Sequence, residues 1–415
     1  MRRVLCALLL VGLLVVGSVP ILAASAPSSS ATGAAGPTTP VVGIMAEASP
    51  QSEPTPKTDL APDAAEAVLM DASSGQVLWS KNANVRRPAA SVTKLMTMAI
   101  VMDSIDSGRI RWNDLVSATQ QAVETGGSQI WLELGETMTV RDLFYAVAVQ
   151  SANDAAVALA EFVGGTEPAF IEMMNNKAKA LGMRNTLYTD PTGLDDQNQY
   201  TSAYDVALLS RYLVIDEPQV LQYTGTWEYR LRGEKLWLVN RNKLLKQLPG
   251  VDGLKTGFTT AAGYCLSATA QRGSTRLIAV VLGATTSDAR FNETSAMLQW
   301  GFTHYATVAV SKGGTTLKQL PVDGGAQRTV AVGAPSTYGV TVPRGSEGNV
   351  RSAVILPQVT TAPVKMGQEI GQIQITVSGK EVATVPLVAL RAVPRLGFGG
   401  QWVRVWRGLW PWPRP

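Results

Sequence analysis

The chain has 415 residues, 46% apolar and 16% charged, which marks a globular protein of two or three domains and excludes a disordered or fibrous one. Its formal charge of +4 sits at the ends: Arg2 and Arg3 open the chain, and Arg391, Arg395, Arg404, Arg407 and Arg414 stand in the last 25 residues, which hold no acid. The body between them is slightly acidic, so a nucleic-acid partner is not expected.

Residues 1–26 combine the two arginines with an apolar run over 4–16 and end on Ala24-Ser25-Ala26, the pattern of a secretory signal with a small-residue cleavage site. That run is short for a membrane span. Pro27 restricts the backbone just past the cut and moves the expected cleavage a few residues to either side. Residues 27–62, rich in Ser, Thr, Pro, Ala and Gly, read as a flexible tether.

Globular sequence is expected over 63–305. Two strands, 67–71 and 77–79, flank the turn Ala72-Ser-Ser-Gly75. An apolar run of Leu95, Met96, Met98, Ala99, Ile100, Val101 and Met102 predicts a mostly buried helix, with Ser91 at its first turn. Thr139 with Asp142 opens a second helix as a capping box, running to about 149. Ser151-Ala152-Asn153 interrupts it. A further helix follows over 154–163, stopped by Gly164-Gly165, and another over 166–181, closed by Gly182. Strands are then expected over 228–231, 235–239, 264–270 and 276–282, with a last helix over 287–305. Strands, then helices, then strands predict an α+β domain whose sheet is largely antiparallel.

Composition changes near Ala306. Over 306–394 short β-type runs (307–310, 328–332, 370–377, 381–387) are split by Gly and Pro, as in a small all-β domain. The tail, 395–415, sets Trp402, Trp406 and Trp410 at i, i+4, i+8 among arginines, with Pro411 ending the run. This amphipathic Trp/Arg segment predicts a peripheral anchor on an anionic membrane surface, too short and too charged to span it.

Three short motifs carry chemistry: Ser91-x-x-Lys94, Ser151-Ala152-Asn153 and Lys255-Thr256-Gly257. Other chemistries have little to draw on. Cys6 lies in the leading apolar run, which leaves Cys265 alone, so no intramolecular disulfide is expected and Cys265 should pack in a strand. His304 is the only histidine, which argues against a Ser-His-Asp triad or a histidine-rich zinc site. No cofactor is expected.

A serine hydroxyl needs a base to take its proton, and a lysine one helical turn away can be that base if it is held neutral. Burial and a second cation both depress a lysine pKa, and Lys255 can be that cation. Ser91 is thus the expected acyl-accepting nucleophile and Lys94 its base. Ser151 is the expected proton relay to the leaving amine, and Asn153 the expected partner of Lys94 and of a substrate amide. Lys255-Thr256-Gly257 should lie on an edge strand beside the serine, where glycine lets substrate backbone approach. The N–H groups of Ser91 and Phe258 are the expected oxyanion hole.

With these motifs in this order the chain resembles the low-molecular-weight penicillin-binding proteins, the serine D-alanyl-D-alanine carboxypeptidases. The resemblance spans about 65–305. It extends through Gly127-Ser-Gln-Ile-Trp-Leu, Leu134-Gly-Glu, Gln150-Ser-Ala-Asn-Asp-Ala-Ala-Val-Ala-Leu-Ala-Glu161, Asp190-Pro-Thr-Gly-Leu194, Val251-Asp-Gly-Leu-Lys-Thr-Gly257 and Ala262-Gly-Tyr-Cys265. It implies a penicillin-recognising serine transpeptidase/β-lactamase-like α+β domain followed by a small all-β domain. It also implies removal of the terminal D-alanine from peptidoglycan pentapeptides outside the cytoplasmic membrane, and inhibition by β-lactams. The substrate's free carboxylate then needs a cation and hydroxyl donors: Thr256 is one donor, and Arg241 and Arg290 are the matching cations, with a structural salt bridge the alternative for both. Ala152 departs from the family's usual glycine, and Asp190 stands where many relatives carry Asn. Asp205 reads as structural. A class A β-lactamase shares the motifs but adds Glu-x-x-Leu-Asn, absent here between Asn153 and Lys255. A D,D-endopeptidase or transpeptidase would use the same residues, and a non-catalytic β-lactam sensor is the alternative outside enzymes.

Overall fold

The computed structural model describes residues 59–397. The expected signal over 1–26, most of the tether and the tryptophans of the tail lie outside them. The last residues of the expected tether do not: Asp59 pairs with Lys81 at 3.0 Å and Ala61 is fully buried, so the packed fold begins a few residues before 63.

The chain opens with β1 (Glu66–Asp71) and β2 (Val77–Lys81). A 3-10 turn over Ala90–Thr93 leads into α1 (Lys94–Asp106). Then come β3 (Leu115–Ser117), α2 (Gln120–Glu124), β4 (Thr137–Thr139) and α3 (Val140–Tyr145), which runs on as a π-helical turn over Ala146–Gln150. Helices α4 (Asn153–Gly164), α5 (Glu167–Ala180), α6 (Ala203–Ile215) and α7 (Val220–Thr224) complete the helical part. A hairpin of β5 (Glu228–Leu231) and β6 (Leu236–Val239) and the short α8 (Leu244–Gln247) precede β7 (Val251–Thr259), β8 (Gly263–Arg272), β9 (Thr275–Ala284) and α9 (Ser287–His304).

One sheet organises this part, in the order β2-β1-β9-β8-β7, with every pairing antiparallel. Alternation along its strands divides the core. Ala67 and Leu69 of β1, with Leu277, Ala279 and Val281 of β9, pack on Met297, Leu298 and Phe302 of α9. Val68 and Met70, with Ile278, Val280 and Leu282, face the opposite way, into the helical body around α1, α4 and α6. Both faces of the central strands are thus covered, which is why they read as continuous apolar runs. Burying a leucine or isoleucine this way stabilises the fold by roughly 1.5–3 kcal/mol each.

Local signals place the helix ends. Thr139 Oγ1 accepts from Asp142 N at 3.1 Å, Thr166 caps α5, and Gly165 (φ 76°) ends α4 in the left-handed region. Cys265 is fully buried in β8. Asp205 accepts from Asn185 N and Thr186 Oγ1, both at 2.7 Å, a structural role.

The remaining strands are β10 (Tyr305–Ser311), β11 (Lys318–Asp323), β12 (Thr329–Gly333), β13 (Tyr338–Pro343), β14 (Val350–Ile355), β15 (Thr360–Thr361), β16 (Glu369–Val377) and β17 (Lys380–Ala389). They form a two-stranded β10-β13 sheet and a six-stranded sheet ordered β14-β16-β17-β12-β11-β15. Leu320, Val330, Val332, Ile373, Ile375 and Leu387 make their own core. The whole is an α+β domain followed by a small all-β domain.

Candidate active site

The site forms where α1, the middle motif and edge strand β7 converge. Ser91 lies in the 3-10 turn just ahead of α1, one residue after Ala90, whose φ of 48° sharpens the turn. Helix α1 begins at Lys94, slightly later than Ser91, and that lysine is fully buried. Its Nζ lies 3.0 Å from Ser91 Oγ and donates to the Thr192 carbonyl at 2.6 Å. Burial pushes the Lys94 amine down to about 7, against the opposing pull of the Asp190 and Asp154 carboxylates. A neutral amine at 3.0 Å from the hydroxyl can accept its proton.

Strand β7 reaches the serine because position 257 has no side chain. A Cβ there would stand 2.8 Å from Ala89 O, 3.0 Å from Ser91 N and 3.1 Å from Val92 N. Lys255, on the same strand, is buried and donates to Thr256 O at 2.9 Å. Burial first, then the charges of Lys94, Arg290 and Arg241, hold Lys255 well below the ordinary lysine range. The expected depression of Lys94 by Lys255 is therefore reversed: burial alone lowers the Lys94 amine, and the Lys94 charge bears on Lys255. Thr256 is buried, and Phe258 is 52% exposed with its ring 4.3 Å from that of Tyr264.

The middle motif sits at the break between the π-helical turn and α4. Ser151 is held at φ 65°, and its buried Oγ has no hydrogen-bond partner. Asn153 donates Nδ2 to Gly126 O at 2.7 Å and its backbone N–H to Ser128 O at 2.6 Å, while its buried Oδ1 is left without a partner. The expected Asn153–Lys94 hydrogen bond is not formed, because the amide is turned to the 126–128 loop. Two polar atoms of one short motif, buried without partners among the described residues, are poised for groups of an incoming ligand. Asp154 behind them accepts from the N–H groups of Ile130 and Leu132, fixing that loop to α4.

The two arginines differ. Arg241 is exposed, and its charge is felt at Lys255. Arg290 is buried on α9 and donates to Gly257 O at 2.9 Å and Cys265 O at 3.3 Å, with no acidic partner within salt-bridge distance among the described residues. It braces β7 from behind, so the alternative of a structural salt bridge gives way to carbonyl support.

The motifs alone do not reveal the loop 190–194. Thr97 Oγ1 donates to Pro191 O at 2.6 Å, Lys94 to Thr192 O, and Gly193 packs so tightly that a Cβ would fall 1.9 Å from Ala90 O. Its Asp-Pro-Thr-Gly string, already one of those resembling the family, is also a turn signature; its contacts to Lys94 and Thr97 are what the string does not show.

Residues 51–286 match the D-alanyl-D-alanine carboxypeptidase family and residues 305–395 the C-terminal domain of penicillin-binding protein 5. The D-alanyl-D-alanine carboxypeptidase DacF of Bacillus subtilis is 40% identical over 345 residues, 82% of this chain and 88% of its own length. Penicillin-binding protein 5 from Haemophilus influenzae superposes with a TM-score of 0.67 at 35% identity, covering 83% of this chain and all of that one. Penicillin-binding protein D2 from Listeria monocytogenes in an ampicillin-bound form superposes with a TM-score of 0.55 at 34% identity, over 59% of this chain and 100% of that one. Fold and matches together define a serine peptidase. More particularly, the chain belongs to the D-alanyl-D-alanine carboxypeptidase family of low-molecular-weight penicillin-binding proteins.

Proposed function

We propose that this protein removes the terminal D-alanine from peptidoglycan stem pentapeptides through an acyl-enzyme on Ser91, the same step by which β-lactams inhibit it. The observation that carries this reading is the buried Lys94 amine 3.0 Å from Ser91 Oγ, pushed down to about 7. Neutral Lys94 takes the hydroxyl proton as Ser91 attacks the penultimate carbonyl, and the oxyanion is met by the N–H groups of Ser91 and Phe258. Ser151 passes a proton to the leaving D-alanine nitrogen, and Asn153 Oδ1 accepts from a substrate amide. Lys255 lines the site from β7, its amine held by the Thr256 carbonyl. Thr256 and the exposed Arg241 receive the terminal carboxylate, with Arg290 holding β7 and adding its charge from behind. Water then releases the shortened peptide.

Peptidoglycan places this work outside the cytoplasmic membrane. The N-terminal apolar segment serves export, and the Trp/Arg tail holds the enzyme on the membrane's outer face. No helix among the described residues is long and apolar enough to cross a membrane.

The test is incubation with diacetyl-L-Lys-D-Ala-D-Ala, assaying free D-alanine beside turnover of a chromogenic cephalosporin. D-alanine release with slow, stoichiometric acylation by the cephalosporin is expected. Fast cephalosporin turnover without D-alanine would replace the reading with a β-lactamase, and acylation with neither turnover would favour a sensor.

A further inference from the structure

The Lys94 amine is oriented by a backbone carbonyl, that of Thr192, and the structure shows what holds that carbonyl still. Asp190 Oδ1 accepts three hydrogen bonds from the next turn: Thr192 N at 2.6 Å, Thr192 Oγ1 at 2.5 Å and Gly193 N at 2.7 Å. Its Oδ2 accepts from Gln199 Nε2 at 2.5 Å. The orientation of Gln199 is itself fixed, because its Oε1 accepts from Thr189 N at 2.7 Å and Asp190 N at 3.0 Å. Turning the Gln199 amide over would set its NH2 against two N–H donors. The only group at position 190 that satisfies this arrangement without rearrangement is one with acceptors on both branches, which is a carboxylate.

We propose that Asp190, clamped by Gln199, is a positioning residue for acylation: its carboxylate fixes the Thr192 carbonyl against Lys94 and places a negative charge beside that lysine. The charged and polar groups facing Lys94 are few. Ser91 Oγ comes from its own turn, Asp154 from α4, Lys255 from β7 with Arg241 and Arg290 beyond it, and Asp190 from this loop. Of the two carboxylates, Asp190 has the larger effect on Lys94, resisting the loss of its proton. Asp190 also bears on Glu167 of α5, whose carboxyl is pushed up chiefly by burial and next by this charge. The acid thus works against burial, keeping Lys94 from titrating too low to be an effective base near neutral pH, since a weakly basic amine drives proton transfer poorly.

The inference rests on the reading of Lys94 as the base of Ser91. Its test is the pH dependence of the second-order rate of acylation by benzylpenicillin, measured on the full chain. Asp190→Asn keeps the three donors to Oδ1 but sets an NH2 against Gln199 Nε2. The acid limb should move down by about half a pH unit or more, because a positive lysine has lost its most effective compensating charge. The plateau should fall about tenfold from the loosened carbonyl. The double variant Asp190→Asn, Gln199→Glu restores the hydrogen bond with its polarity reversed and moves the charge one side chain outward. It should recover most of the plateau while its acid limb stays below wild type, and it supplies the measurement if the single variant does not fold. An acid limb at the wild-type pH in either variant overturns the proposal. Failure of the serine reading would show elsewhere, as penicillin labelling that survives Ser91→Ala.

Discussion

Lys94 concentrates the chemistry and the cost of this site. A shift from 10.5 to about 7 in a fully buried amine corresponds to about 5 kcal/mol, which the surrounding core must sustain. With the neutral amine as the proposed active form, the acylation rate should fall as pH drops through about 7 and level off above it; stopped-flow acylation across pH 5–9 checks this. A rate independent of pH in that range would remove Lys94 as the base. Ser91→Ala, which deletes one oxygen from a half-buried turn, should abolish covalent penicillin labelling while leaving the thermal transition nearly unmoved.

At the scale of elements, the approach of β7 to the 90–93 turn decides whether these groups meet. Gly257→Ala would set a methyl 2.8 Å from Ala89 O and 3.0 Å from Ser91 N, so strand and turn must separate. Acylation should fall on the order of 100-fold with only a small change in melting temperature, as expected when reacting groups are misplaced by about an ångström. Much of this frame was legible in the sequence, because strand alternation, the Thr139 cap and the Gly165 and Gly182 stops are properties of residue type and order. Helix α6 was not: Ala203, Val206, Ala207, Leu209, Ser210 and Leu213 are buried around much of its circumference, which blurs the 3.6-residue period. Nor were the orienting contacts of the site. Thr192, Gly126 and Ser128 act through backbone carbonyls, and a carbonyl carries no signature of residue type. The motifs name the side chains that react, while the groups that aim them are encoded in turns some 25 to 100 residues away.

Over the whole molecule, the β1–β2 turn joins the catalytic sheet to the β-domain. Asp71 accepts from Ser74 N at 2.8 Å and Ser74 Oγ at 2.9 Å with one oxygen, and from Thr307 Oγ1 of β10 with the other. Ser74 Oγ also meets Thr341 Oγ1 of β13 at 2.8 Å. Asp71→Ala should therefore lower unfolding stability by about 1–3 kcal/mol, measured by denaturant titration, while the acylation rate of the folded protein is unchanged. The measurement that bears most directly on the account is titration of the enzyme with benzylpenicillin, following residual D-alanine release and the modified peptide in the same samples. D-alanine release should vanish in proportion to one penicillin per chain, with the adduct on Ser91. Release that survives complete labelling, or an adduct on another residue, would contradict it.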